Sequence, residues 1–282
     1  MRVVSTGFSC NNACAFCAQG ELRSGASARD PAASVARVEA GDVVAFVGGE
    51  PTLFDALPEW IAECDRRGAA RVVVQTNGRR LAYPAWTERL AKASKRLELE
   101  VSLHGSTAAM HDYHTQVEGS FAQTVRGLAA ARGAGLPARI VTVVTRSSFR
   151  HVADIVRLGH ALGARALLLT EVVPAGRARS ARDRLVPAPE MVEPFVRAAQ
   201  VEAARLGLEL FTSARPPFVG IGEIEAEPAP TPSGLPARVR LDVIGRPQPA
   251  VREARGHDRR TGAALREILP ALFERDGDGD PR

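Results

Sequence analysis

The chain has 282 residues, 45% of them hydrophobic, enough for one large α/β domain or one such domain with a small appendage. No apolar run approaches the roughly 18 residues of a membrane span, and MRVVSTGF at the N-terminus carries no signal-peptide pattern, so neither a membrane nor an export route is expected. The net charge of +5 does not by itself point to nucleic acid: apart from Lys92 and Lys95 the 37 basic residues are all arginine, scattered along the chain without interleaved aromatics.

In chain order, short β-branched runs alternate with longer amphipathic stretches, the pattern of parallel βα units. Strands are predicted at 2–6, 42–47, 71–75, 98–103, 138–145 and 164–171. Helices are predicted near 54–68, 83–96, 119–134, 149–162 and 188–206, with a short one at 32–40. Six such units make a partial (β/α)6 barrel rather than a closed eight-fold one. After LELFTS (208–213) the alternation stops. AEPAPTPSGLPA (226–237) reads as a linker or extended loop, ARVRLDVIGRPQP as a hairpin around Ile244-Gly245, and TGAALREILPALFE as a final helix. The tail DGDGDPR lacks the closing glutamate of a calcium loop and is expected to be disordered. The expected division is a barrel at 1–213 and an extension at 214–282.

Three of the four cysteines, Cys10, Cys14 and Cys17, fall in CNNACAFC with spacing C-x3-C-x2-C. Three thiolates do not close a structural zinc site, and an odd cluster is a poor disulfide framework. An iron–sulfur cubane usually takes four thiolates, so three leave one iron open to another ligand. The residues alone also admit a partial zinc site with a distant fourth ligand such as His104, or buried free cysteines. Such a crowded set suits a reducing cytoplasm, the expected location. The fourth cysteine, Cys64, recurs with Leu57, Trp60 and Ile61 at helical spacing and reads as core. A second element, VGGEPTLF (47–54), follows the second predicted strand. Its two glycines let a ligand approach the backbone closely. A plain strand-to-helix turn explains glycine and proline there, but not their order after the cysteines.

On these two motifs the chain resembles the radical S-adenosylmethionine (SAM) superfamily. The resemblance implies a 4Fe-4S cluster on Cys10, Cys14 and Cys17, with SAM's methionyl end on the open iron. It places Phe16 near the adenine, the methionyl ammonium at Gly48, Gly49 and Glu50, and the ribose at Ser102 in SLHG (102–105). TNG (76–78), HDYHTQVEGSF (111–121) and VVPAGRA (172–178) continue the family order, although Gln116 departs from the usual residue. The implied activity is reductive cleavage of SAM by an electron from a flavodoxin or ferredoxin. The resulting 5′-deoxyadenosyl radical abstracts hydrogen from a substrate. PPFVG (216–220) and LDVIGRPQPAV (241–251) faintly resemble the SPASM or twitch extension of peptide-modifying members. No cysteine follows Cys64, which excludes that region's auxiliary cluster. A ribosomally made peptide is therefore the leading substrate expectation and a small-molecule biosynthetic substrate the alternative, with a non-catalytic iron–sulfur carrier as the rival class. With no leader-binding domain expected ahead of Met1, peptide recognition falls to a separate protein or the extension. His104, His111 and His114 are better site candidates than His151 or His160, and Glu171 either points into the barrel mouth or pairs with an arginine.

Overall fold

A computed structural model describes residues 1–20 and 30–213 of the chain. Seven parallel strands form one sheet: β1 (Arg2–Ser5), β2 (Val43–Val47), β3 (Arg71–Thr76), β4 (Leu97–Ser102), β5 (Ala138–Val143), β6 (Ala166–Thr170) and β7 (Glu209–Ser213). Their order in the sheet is their order in the chain. Parallel connections share one hand, so a strictly sequential order sends every crossover to the same face. The other face is left to line an open barrel.

The crossovers carry α1 (Pro31–Val35), α2 (Leu57–Arg66), α3 (Pro84–Ala93), α4 (Ala108–Thr115), α5 (Ser120–Gly133) and α6 (Val152–Ala161). Two short turns, α7 (Arg177–Ser180) and α8 (Arg182–Leu185), precede the long α9 (Pro189–Leu206). Period-two alternation divides the strand residues between the faces. Val3, Ala45, Val47 and Val73 pack together on one. On the other, Phe46 stacks on Trp60 of α2 at 6.5 Å between ring centroids.

The six predicted strands and five longer helices are all present, and β7 adds to them. Its sequence LELFTS is apolar at alternate positions but short and followed by prolines. What makes it a strand is the edge of β6, where Leu167 pairs in register with Leu210. The predicted helix at 32–40 is shorter, ending at Val35. Helix α4 has no apolar stripe to announce it. It forms because Thr107 caps it, accepting from Met110 N–H at 3.3 Å, and Gln116 closes it in the left-handed region at φ 57°. The linker, hairpin, final helix, tail and extension lie outside the described residues.

Cys64 is fully buried on the inward face of α2. Burial pushes its thiol up to about 11, so it stays protonated and unreactive at neutral pH. Brief alkylation of the apoprotein with iodoacetamide at pH 8 is expected to label Cys10, Cys14 and Cys17 and spare Cys64 until denaturant is added. Mass spectrometry of the tryptic peptides reads the order, and equal labelling of Cys64 in the native protein would contradict its place in the core.

Candidate active site

The C-terminal ends of β1 to β5 surround one cleft, lined by the three clustered cysteines, Phe16, Gly48 to Glu50 and Ser102. It gathers the eight cluster and SAM residues that the resemblance implies, Cys10, Cys14, Cys17, Phe16, Gly48, Gly49, Glu50 and Ser102. The cysteine loop leaves β1 and is held on three sides. Ala13 and Ala15 N–H donate to the carbonyls of Thr115 and His114 at the end of α4, both at 2.9 Å. Asn77 Nδ2 donates to Asn11 Oδ1 at 2.6 Å, and Arg79 Nη1 reaches Asn12 Oδ1 at 3.0 Å. From beyond β6, Arg177 N–H donates to the Cys17 carbonyl at 3.1 Å. Cys10, Cys14 and Cys17 are half-buried and in no disulfide. Among the described residues no three His, Cys, Asp or Glu side chains are gathered as a single metal ion would gather them. Asn12 N–H lies 3.3 Å from Cys10 Sγ, and Asn77 Nδ2 lies 4.0 Å from it, both oriented to donate. Such donors stabilise thiolate charge and suit an iron–sulfur ligand.

The glycines have a structural duty beyond ligand access. Past β2 the chain continues alongside the start of the cysteine loop. Gly49 N–H donates to Gly7 O and Glu50 N–H to Ser9 O, both at 2.8 Å. A Cβ on Gly49 would sit 2.1 Å from Ser9 O, and one on Gly48, whose φ is +137°, would sit 2.3 Å from Gly7 O. A side chain at either position therefore displaces the segment leading into Cys10.

Glu50 is buried, and its carboxylate collects four donors. Thr52 N–H, Thr52 Oγ1 and Thr76 Oγ1 donate to Oε1 at 3.0, 2.6 and 2.7 Å, and Asn77 N–H to Oε2 at 2.6 Å. Burial raises its pKa against the pull of these donors. The carboxylate thus ties the end of β2 to the end of β3, a role the motif did not reveal. Deeper on the barrel face, Glu100 is buried, accepts from Gln75 Nε2 at 3.0 Å and pairs with Arg139. The sequence reading missed this pair. Its signal was charge inside a predicted strand, at Glu100 and Arg139.

Three histidines form a layer behind Phe16, whose ring meets His104 edge-on at 4.7 Å. Val143 N–H donates to His104 Nδ1 at 3.3 Å, which leaves the proton on Nε2. His104 N–H in turn donates to His111 Nδ1 at 3.1 Å. His114 Nδ1 donates to the Met110 carbonyl at 2.7 Å, and its Nε2 accepts from Thr145 Oγ1 at 2.8 Å. Of the three only His104 lines the cleft; His111 orients the loop before α4. Asp112 explains the HD…GSF run: its carboxylate accepts from Gly119 N–H, Ser120 Oγ and Phe121 N–H at 2.8, 2.8 and 2.7 Å, capping α5. Gln116 is exposed and donates to the Tyr113 carbonyl, away from the cleft. Glu171 is half-buried with its pKa raised by burial, and no arginine among the described residues pairs with it.

Burial holds all three histidines below the ordinary imidazole value, His111 at about 4 and His104 well below. A group whose folded pKa is depressed contributes stability above its unfolded pKa and loses it as pH falls. Stability of the apoprotein is therefore expected to be flat from pH 8 to about 6.5 and to decline between about 6.5 and 5, before most carboxylates titrate, by up to about 1.4 kcal/mol per proton per pH unit. Urea unfolding across that range measures it, and a flat profile down to pH 5 would rule out a neutral histidine layer.

Comparison with known proteins matches residues 4–159 to the model of the Radical SAM superfamily. The AdoMet-dependent heme synthase of Nitratidesulfovibrio vulgaris is 34% identical over 191 residues, 66% of this chain and 51% of that protein. The PqqA peptide cyclase of Methylocella silvestris is 30% identical over 204 residues, 70% of this chain and 53% of its own length. The chain thus spans about half the length of the curated relatives it matches. Among solved structures, Streptococcus suis SuiB bound to precursor peptide SuiA superposes with a TM-score of 0.60 at 18% identity, over 75% of this chain and 48% of SuiB. The matched span includes the cysteine loop, the GGEP strand end and β1 to β5, so the cleft is built from the segment that defines the match, and the chain belongs to the radical SAM superfamily of enzymes.

Proposed function

We propose that Cys10, Cys14 and Cys17 hold a 4Fe-4S cluster and that the strand end at Gly48, Gly49 and Glu50 receives the methionyl group of SAM. When bound, the pair supplies reductive SAM cleavage and a 5′-deoxyadenosyl radical that takes hydrogen from an unactivated carbon. The carrying observation is that the cysteine loop and the GGE strand are bonded to each other along one stretch of backbone, through Gly49 to Gly7 and Glu50 to Ser9. Metal ligands and cofactor strand are thereby fixed as one unit. Within it the Asn12 and Asn77 donors orient Cys10, and Phe16 presents a ring at the cleft wall backed by His104. In this reading Ser102, which lines the cleft, meets the ribose.

The substrate reading is a ribosomally made peptide. It is supported by the fold likeness to SuiB, solved with its precursor peptide, and by the PqqA peptide cyclase among the relatives. A small-molecule substrate is the second reading, favoured by the heme synthase. Every site residue in this reading lies within 1–213, and 214–282 takes part in substrate recognition. An electron donor of flavodoxin or ferredoxin type completes the system. Among the described residues no helix is long and apolar enough to cross a membrane.

Anaerobic reconstitution is expected to give about four irons per chain, undiminished in Cys64→Ala and lost in Cys14→Ala. The reduced protein should convert SAM to 5′-deoxyadenosine and methionine, and intact SAM after reduction would refute the assignment. For Gly49→Ala the collision with Ser9 O predicts loss of iron loading and of SAM binding together. Iron content and equilibrium dialysis of SAM measure the two, and a variant with full iron and unchanged SAM affinity would contradict the shared backbone unit.

A further inference from the structure

Two arginines from separate strand ends grip the cysteine loop, one at its start and one at its close. Arg79, just past β3, takes the start: its Nη1 donates to the Asn11 carbonyl and, at 3.0 Å, to Asn12 Oδ1. Its Nε donates to Gln123 Oε1 on α5 at 2.6 Å, which fixes the plane of the guanidinium. Arg177, the first residue of α7, takes the close: its N–H donates to the Cys17 carbonyl at 3.1 Å and its Nη1 to the Cys14 carbonyl at 3.3 Å. The two chains are pressed together there. A Cβ on Gly20 would lie 2.7 Å from Arg177 Cγ and 3.0 Å from its Nε, and one on Gly176 would lie 2.6 Å from the Cys17 carbonyl oxygen. The Arg177 side chain therefore runs along the loop from Gly20 back to Cys14.

Both side chains are half-buried, and every oxygen that their guanidinium groups meet is neutral: two main-chain carbonyls, one asparagine and one glutamine. The barrel floor is handled differently, with Arg139 set directly against the Glu100 carboxylate. The charges of Arg79 and Arg177 are instead applied to the segment that carries the three thiols. A cluster on three thiolates grows more negative when it accepts an electron, so a nearby positive charge favours the reduced form over the oxidised one. The carboxylates that line the cleft, Glu50 and Glu100, have partners of their own and touch neither arginine.

We infer that Arg79 and Arg177 are positioning residues that form a cationic bracket on the cysteine loop and raise the reduction potential of the cluster it holds. The inference rests on the proposed cluster. The step concerned is the uptake of one electron by the oxidised cluster from an external one-electron reductant; no bond is made or broken and no proton moves. The bracket acts through the charge it keeps beside the loop, and the hydrogen bonds to Asn11, Asn12 and Cys14 hold that charge in place.

The test measures the midpoint potential of the full reconstituted chain by anaerobic titration with titanium(III) citrate, each Ti(III) giving one electron and becoming Ti(IV). The readout is the electron paramagnetic resonance signal of the reduced cluster. Only loaded molecules give that signal, so a variant with lowered iron content is still read. The variants are Arg79→Gln, Arg177→Gln and the two combined, with Arg79→Lys and Arg177→Lys, which keep the charge and lose the forked donor geometry. At a fixed potential the ratio of reduced to oxidised cluster is expected to fall about tenfold in the double glutamine variant, a negative shift of about 59 mV for one electron. Each single glutamine variant should shift by less, and the lysine variants should stay within about twofold of wild type. If the double variant takes up no iron, the single variants carry the comparison. Glutamine variants with the wild-type potential would overturn the inference. So would equal shifts in the lysine and glutamine variants, which would make the contacts geometric alone. A wild-type chain that gives no cubane signal would refute the proposed function itself, whereas a loaded wild type with unmoved potentials in the variants refutes only the bracket.

Discussion

The backbone pairing between residues 7–9 and 48–50 holds the mouth of the barrel together. It extends the β1–β2 ladder past the regular strands, where Gly49 and Glu50 donate to Gly7 and Ser9, and it tolerates no Cβ on Gly48 or Gly49. Glu50 then carries this unit across to β3 by four donated hydrogen bonds. A buried donor left without its acceptor costs about 1–3 kcal/mol, so truncating this one side chain exposes several such penalties at once. The cysteine loop inherits its position from that frame, with Asn77 and Arg79 of the same strand end reaching over to Asn11 and Asn12.

Much of this was legible in the sequence because it is written in local chemistry. Strand runs such as RVVVQ and LELEV carry their own periodicity, and the cysteine and glycine spacings survive without any knowledge of tertiary contacts. Elements whose cause is a distant partner were not legible. β7 needs the edge of β6, and α4 is defined by its caps rather than by a face. Glycines read as giving room to a ligand also give room to the chain itself, Gly48 to Gly7 and Gly49 to Phe8 and Ser9. Glu50 illustrates the same limit: the motif marks it, but only the fold shows Thr52, Thr76 and Asn77 converging on its oxygens.

The histidine layer and the Glu100–Arg139 pair show how polar groups are admitted to the interior of an open barrel. Each histidine has a hydrogen-bond partner on at least one ring nitrogen, which fixes a neutral tautomer and avoids burying charge. Glu100 pairs with Arg139, and Gln75 takes its second carboxylate oxygen. The barrel floor is thus polar.

The sequential strand order gives the cleft two unlike walls. The wall from β1 to β3 carries the cysteine loop with Gly48, Gly49 and Glu50, and a side chain at either glycine displaces the segment leading into Cys10. The wall from β4 and β5 meets the cleft with separate side chains, Ser102, His104, Val141 and Val143, each borne on its own strand position. Exchanging Ser102 or Val141 reshapes the cavity by one side chain, whereas His104 and Val143 also back Phe16 of the cysteine loop. A scaffold divided in this way can change the shape of its cleft by point mutation at Ser102 or Val141 while the wall from β1 to β3 stays constant. Selection on the shape of the cleft then acts on one side of the arc.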